Sequence, residues 1–397
     1  MNNLPKLFIS ISDLEISIIV GYADDQNNFE LLEKISLSIN GKNENRISDL
    51  DKMANLIKKN ILFIEQKVNY TFKDVIVILD NFTNFFLNLS GFKKLNGTQV
   101  SKENITYILN SLKSYIDKFE KDKKILHIFN SEYRLDKKKI DNLPIGLFGE
   151  FYSHELSFCL IDKNDYKNLE NIFSKCNLKI NKILSDSFIN GSLINNDDPL
   201  INTFFHIQIN EDNSKILYYE NDTVKNEQKF KFGSNIILSD ISKITALNPD
   251  TLKKIIENNV LTYEIPETEL IEKNFFKDSG YRKIKKKLIL EIAEARINEL
   301  KNIIYFKNIN FGRSLNKVKT IFLEITDKHH LKCFEKVYLN IFNNMSKFDV
   351  KIFLKPDTKS IINAANIIAE YGWKNEAIPV STPKKSFLSR IFKEIFD

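Results

Sequence analysis

Lys124-Ile125-Leu126-His127-Ile128-Phe129-Asn130-Ser131-Glu132-Tyr133-Arg134-Leu135-Asp136, followed by Leu143-Pro144-Ile145-Gly146-Leu147-Phe148-Gly149, is the stretch on which the reading of this chain turns. Lys124 to Phe129 is an apolar run of strand length, and Gly149 to Leu160 reads as a second strand. His127 lies inside the apolar run. A hydrogen-bonded structural histidine is the expectation there, rather than a catalyst.

Upstream, Leu7 to Ser12 and Glu15 to Gly21 read as two strands joined by a tight turn. Leu50 to Asn69 is helical, with Met53, Leu56, Ile57, Ile61 and Ile64 on one stripe. Val75 to Leu79 is an apolar run expected of a buried strand. Val100 to Phe119 keeps helical spacing through Ile105, Ile108, Leu109, Leu112 and Ile116. Tyr166 to Cys176 reads as a helix and Lys179 to Leu184 as a strand. A second cycle then opens. Phe204 to Ile209 is a strand, Asn210 to Asn213 a polar turn, Lys215 to Tyr219 the return strand, and Gln228 to Phe232 a third. Asn235 to Thr245 and Thr251 to Glu257 are helices. Tyr281 to Tyr305 is a long helix with Leu288, Ile292, Ala295 and Ile303 facing inward. Lys319 to Ile325 is a strand. Asp357 caps a last helix, Thr358 to Tyr371, which stops at Gly372. Two cycles that each open on a hairpin predict a two-lobed α/β protein.

The chain has 397 residues, enough for two or more lobes, and its 43% hydrophobic content supports real cores. The net charge of +6 is spread through Lys-, Asn- and Glu-rich sequence without an arginine-rich or aromatic-interleaved patch, so no nucleic-acid partner is expected. Cys159, Cys176 and Cys333 have no metal-ligand or redox spacing and suit free thiols in a reducing compartment. The sequence runs from its start into a strand-like segment, so no signal peptide is expected. No run of about twenty apolar residues exists to span a bilayer.

The end of the chain is different. Phe387, Leu388, Ile391, Phe392 and Ile395 share one face of a helix, Phe396 adds to it, and Lys384, Lys385, Arg390 and Lys393 lie off that face. A polar stretch with proline, Lys374 to Pro383, precedes it. A short basic amphipathic helix on a tether reads as a membrane-surface anchor.

In their order these segments resemble the FtsA family of bacterial cell-division proteins. The Lys124 to Asp136 and Leu143 to Gly149 segments resemble a signature of the extra subdomain, 1C, that sets this family apart from other actin-like proteins. Phe232-Gly233-Ser234-Asn235 and Ser239-Asp240-Ile241 resemble the segment after the family's second phosphate hairpin. Glu291-Ile292-Ala293-Glu294-Ala295-Arg296 resembles the start of a long second-lobe helix, and the terminal segment resembles the family's membrane-targeting tail. The resemblance covers nearly the whole chain. It implies an actin-like two-lobed fold with a duplicated RNase H-like core. Subdomain 1A would take 1–82 and 165–199, 1C 83–164, 2A 200–245 and 313–372, and 2B 246–312. A linker at 373–383 would lead to a membrane-targeting amphipathic helix at 384–397. It further implies a peripheral divisome adaptor on the cytoplasmic face of the inner membrane at the septum. Such an adaptor would tether FtsZ polymers, capture the FtsZ C-terminal tail on 2B, assemble with itself and recruit later division proteins. Arg296 matches a basic position at the FtsZ-binding surface.

The resemblance also implies ATP with magnesium, and here the residues depart from it. Actin-like proteins cradle phosphates with two hairpins built on Asp-x-Gly patterns. Gly lets backbone N–H groups approach the phosphates, and Asp orders the magnesium shell. The first hairpin has Ser10 in place of the acid and Ser12 in place of Gly, with Asp13 and Glu15 beyond. The second reads Gln208-Ile209-Asn210-Glu211-Asp212-Asn213 where Asp-x-Gly-Gly-Gly-Thr is usual. The adenosine segment, usually Thr-Gly-Gly-x, reads Glu324-Ile325-Thr326-Asp327. With only 11 Gly in the chain, these loops read as polar turns. Glu211, Asp212, Glu324 and Asp327 would set negative charge against a polyphosphate. The expectation is a protein that is not an enzyme and holds no cofactor.

His329-His330 reads as a surface turn, because adjacent His side chains diverge and no partner ligand lies at useful spacing. Lys283, Lys285, Lys286 and Lys287 read as a solvated face or as one that meets an acidic partner segment. Two other readings fit the fold. An ATP-hydrolysing enzyme of the actin superfamily would need intact Gly-rich loops. A pilus-assembly protein of the same fold would lack the terminal amphipathic helix.

Overall fold

The computed structural model describes residues 4–12, 15–24, 28–38, 50–80, 82, 84–276, 280–312, 314–343, 348–372 and the backbone of 376–379. The chain forms two compact units. The first comprises the residues up to Leu200, Glu220–Asn226 and those from Pro356 on, and the second comprises Ile201–Tyr219 and Glu227–Lys355.

The chain opens with β1 (Lys6–Ile11), β2 (Glu15–Ala23), β3 (Phe29–Ser38), α1 (Leu50–Val68) and β4 (Asp74–Leu79). An inserted layer follows, made of β5 (Phe85–Lys94), α2 (Lys102–Phe119), β6 (Lys123–Leu135), β7 (Lys138–Ile140) and β8 (Phe151–Asp162). α3 (Lys163–Lys175), β9 (Lys179–Ser185) and α4 (Asp186–Asp197) come next. The second cycle runs β10 (Phe204–Ile209), β11 (Ser214–Glu220), β12 (Thr223–Phe230), α5 (Asn235–Thr245), α6 (Pro249–Asn258), α7 (Lys286–Lys301), β13 (Thr320–Ile325), α8 (Lys328–Asn343) and β14 (Asp349–Ile352). α9 (Thr358–Tyr371) and β15 (Glu376–Pro379) end the described chain.

Two sheets carry the same topology. One has the order β3-β2-β1-β4-β9 and the other β12-β11-β10-β13-β14. In each, an antiparallel hairpin continues into strands that run parallel to its first member. The central parallel strands β4 and β13 are buried on both faces, which is why they read as nearly continuous apolar runs. Ile57, Ile61 and Ile64 of α1 meet Leu169, Ile172 and Phe173 of α3 over the first sheet. Full burial of one such Ile or Leu contributes about 1.5–3 kcal/mol. In the inserted layer, the sheet β15-β6-β8-β5 receives Leu109 and Ile116 of α2 against Ile125, Leu156 and Phe158.

The 124–149 stretch proves to be a turn-building device. Asp136 sits at φ +49°, and its carboxylate accepts the backbone N–H groups of Glu150 and Phe151, both at 2.8 Å. Gly149 is required beside it, because a Cβ there would stand 2.5 Å from Leu135 Cδ1 and 3.1 Å from Asp136 Oδ2. His127 is fully buried against Phe129 and Phe188, with ring centroids 5.9 and 4.9 Å away. All three cysteines are buried, and none is in a disulfide.

Several expectations are corrected. The long helix begins at Lys286, not Tyr281, and its inner face carries Ile289, Ile292, Ala293, Ile297 and Leu300. Leu288 and Ile303 are more than a third exposed and Ala295 is exposed. The helix is apolar at two phases, and contact with α5 and α8 selects between them. The third strand of the second cycle is Thr223–Phe230, because Asn221 and Asp222 both adopt positive φ and turn the chain earlier than Gln228. The resemblance places α9 with 313–372 in the second lobe, yet it packs within the first unit. Its Asn363 side chain accepts Phe29 N–H at 3.0 Å, Asn366 accepts Lys6 Nζ at 2.8 Å, and the Ile368 carbonyl accepts buried Lys182 Nζ at 2.9 Å. Part of the expected linker at 373–383 is strand. The β15 backbone pairs antiparallel with β6, Glu376 opposite Phe129 and Pro379 opposite His127. The amphipathic segment with Phe387, Leu388, Arg390, Ile391, Phe392, Lys393, Ile395 and Phe396 lies outside the described residues, as does Asp13.

Candidate functional site

In the second unit, β10 and β13 run parallel and end together, and helices α5 and α8 begin beside those ends. A helix N-terminus gathers N–H groups that no turn of its own helix can satisfy, and two of them side by side form a natural anion cradle. Here both are occupied by the chain itself. Ser234 N–H donates to the Asn210 carbonyl at 2.8 Å and Asn235 N–H to the Glu211 carbonyl at 2.9 Å. The Asn235 side-chain amide holds Asp212 at 2.9 Å, which sets an exposed carboxylate at the start of α5. At α8, one Asp327 carboxylate oxygen accepts His329 N–H at 2.9 Å and His330 N–H at 3.1 Å.

The β10–β11 turn is drawn tightly onto α5. A Cβ on Gly233 would stand 2.1 Å from the Asn210 carbonyl oxygen and 2.5 Å from that of Glu211, so only Gly permits the approach. Asn210 N–H donates to the Asn213 carbonyl at 2.9 Å, and its side-chain amide donates to Asn213 Oδ1 at 2.7 Å. Thr326 closes the turn from β13, its N–H on the Ile209 carbonyl at 3.0 Å and its hydroxyl on Asn210 Oδ1. Asn210, Glu211, Asp212, Asn213 and Thr326 are thus brought together, but as a sealed knot.

Glu324 does not face outward as the sequence suggested. It is 1% exposed, and its oxygens take His206 Nε2 at 3.0 Å and Gln208 Nε2 at 2.8 Å. Because a carboxylate only accepts, His206 donates from Nε2. Burial by itself would raise the Glu324 pKa, but the bond and charge of His206, the Gln208 amide and nearby Lys215 together leave it below the usual carboxylate value. The second-hairpin polar residue Gln208 therefore serves an internal network across β10 and β13.

In the first unit, the β1–β2 turn is closed in the same way. Ser12 N–H donates to the Glu15 carbonyl at 2.9 Å, and Glu15 N–H donates to Ser12 Oγ at 3.0 Å. Ser10 is half-buried opposite Ser17 in the ladder.

Arg296, on α7, binds Asp240 on α5 through Nε at 2.5 Å and Glu299 through a terminal nitrogen at 2.6 Å. Two segments singled out separately in the sequence, Ser239-Asp240-Ile241 and the one ending at Arg296, are therefore ion-pair partners. His330 is not in a surface turn. It is buried in the first turn of α8 with Nε2 2.9 Å from the Tyr338 hydroxyl, and burial pushes its pKa down to about 4. Lys286 is not solvated either, being buried between Glu269 at 3.0 Å and Glu272 at 2.7 Å. Among the described residues no group of His, Cys, Asp or Glu could hold a metal ion, and no helix is long and apolar enough to cross a membrane.

Two sheets of one topology, each opening on a hairpin and followed by helices, define an actin-like protein. Among solved structures, the PilM–PilN type IV pilus biogenesis complex superposes with a TM-score of 0.52 at 10% identity, covering 92% of this chain and 96% of that one. That likeness concerns the fold alone. No family model matches the chain. Among curated proteins, the chain is 24% identical over 283 residues to the cell division protein FtsA of Buchnera aphidicola subsp. Schizaphis graminum. That match covers 70% of this chain and 66% of the relative's length, just under two thirds. FtsA of Buchnera aphidicola subsp. Acyrthosiphon pisum is 20% identical over 406 residues, 98% of this chain and 95% of that protein. The chain is a divergent relative of FtsA.

Proposed function

We propose that this protein is a cell-division adaptor of the FtsA kind that works as a scaffold without nucleotide turnover. The observation that carries the reading is the likeness to FtsA over 98% of the chain. The sealed turns support its second half. The N–H groups that would meet phosphates are spent on the carbonyls of Asn210 and Glu211 and on the Asp327 carboxylate. Exposed Glu211 and Asp212 add repulsion. In this reading the second unit captures the FtsZ C-terminal tail and copies of the chain assemble. The basic amphipathic segment at 384–397 holds the assembly to the cytoplasmic face of the membrane at the septum, where later division proteins join. One tail binds a bilayer weakly, since its interfacial burial is partial and the helix must be ordered, so many tails on one polymer bind by avidity. A pull-down of the full chain with an FtsZ tail peptide tests the adaptor role. Retention of the peptide supports it, and absence of retention at tens of micromolar overturns it.

A further inference from the structure

Helix α2 has two apolar faces, and only one is used by the fold. Ile105, Ile108, Leu109 and Ile116 are buried against the sheet of the inserted layer. On the outer side, Tyr107 is 54% exposed, Tyr115 51% and Phe119 60%. Positions 107, 111, 115 and 119 are spaced by four, so these aromatics and Ser111 fall along one line of the helix. The Tyr115 and Phe119 rings stand 4.4 Å apart. Lys93 Nζ lies 4.3 Å from the Tyr107 centroid and Lys118 Nζ 5.6 Å from that of Phe119. Asp117, Glu120 and Asp122 are interspersed among Lys113, Lys118, Lys121, Lys123 and Lys124, so this stretch carries a small cationic excess. Exposed aromatic rings flanked by Lys stems suit the headgroup region of a bilayer, where rings sit at the boundary and ammonium groups stay wet.

The course of the chain favours a bilayer as the occupant. β15 runs antiparallel to β6 with Pro379 opposite His127, so it points toward the Lys123 end of β6, where α2 finishes. Only Val380 to Pro383 separate Pro379 from Lys384, the first residue of the basic amphipathic segment. Five peptide steps reach at most about 17 Å. A tail on a bilayer therefore brings that bilayer within reach of this end of α2. The competing occupant, the tail folded back on the stripe, would press Lys384, Lys385, Arg390 and Lys393 against the net positive charge of the stretch from Lys113 to Lys124.

We propose that the outer face of α2, through Tyr107, Tyr115 and Phe119, is a second contact with an anionic lipid surface, which sets how the tethered protein lies on the membrane. The inference rests on the membrane-adaptor reading. The test uses the full chain carrying Phe119→Cys labelled with an environment-sensitive fluorophore, and phosphatidylglycerol vesicles containing nitroxide lipids. The expected result is quenching on vesicle addition, with vesicle affinity about tenfold weaker in Tyr115→Glu/Phe119→Glu while the tail is intact. Sedimentation with vesicles but an unquenched probe would overturn the second contact and leave the tether standing. No sedimentation of the full chain would overturn both. A probe shielded without vesicles, and freed by deleting 384–397, would show the tail on the stripe and overturn the proposal.

Discussion

Replacing Glu324 by Ala should destabilise the second unit more than any surface change at the same turn. The side chain is 1% exposed, and its removal leaves His206 Nε2 and Gln208 Nε2 facing a gap with no acceptor. Each orphaned buried donor costs about 1–3 kcal/mol, and breaking a buried ionic contact from one side costs about 3–5 kcal/mol in total. For a unit of this size about 1 kcal/mol shifts Tm by roughly 2–4 °C, so a fall of roughly 6–20 °C is expected. Differential scanning calorimetry measures it. The triple variant Glu324→Leu/His206→Leu/Gln208→Leu removes donors and acceptor together and should recover most of the loss. The folded Glu324 pKa is held below its ordinary value, because His206, Gln208 and Lys215 outweigh burial. Its contribution is therefore complete above the unfolded carboxyl value of about 4.3 and is lost as pH falls through the folded value. The gap between the native chain and Glu324→Ala should accordingly narrow below about pH 4. A Tm change under about 2 °C at pH 7, or a triple variant no better than the single one, would refute the reasoning.

Titration calorimetry with ATP and magnesium should give no binding tighter than millimolar and no hydrolysis; a micromolar dissociation constant would show that the sealed turns open. Arg296→Glu should weaken binding of a labelled FtsZ tail in fluorescence anisotropy. Asp240→Ala, which leaves the Arg296 guanidinium only Glu299 of its two carboxylate partners, should preserve or strengthen that binding; equal weakening by both would assign Arg296 to the α5–α7 contact alone. Deleting Lys385 to Asp397 should abolish sedimentation with anionic liposomes while the circular dichroism of the core is unchanged; undiminished sedimentation would remove the tail from the tethering role.

The sequence alone determined the elements whose signal is local. The first hairpins of both cycles, the stripes of α1 and α2 and the apolar runs of β4 and β13 were legible because period and turn chemistry reside in neighbouring residues. The Asp136 and Gly149 turn lay within the most informative stretch for the same reason. Elements at edges were not legible. β3 and β5 lie at sheet edges with mixed exposure, β5 carries Gly91 in mid-strand, and α4 is buried nearly all round, so none shows a clean period. The absence of glycine from the β1–β2 and β10–β11 turns was plain in the sequence, but what holds those turns was decided by tertiary structure. The Asn235 amide reaches Asp212 from 23 residues away, and Glu324 meets Gln208 and His206 from 116 and 118. A carboxylate counted in sequence is only a charge. Whether it repels a phosphate, caps a helix as Asp327 does or is neutralised inside a sheet as Glu324 is depends on donors that only the fold brings to it.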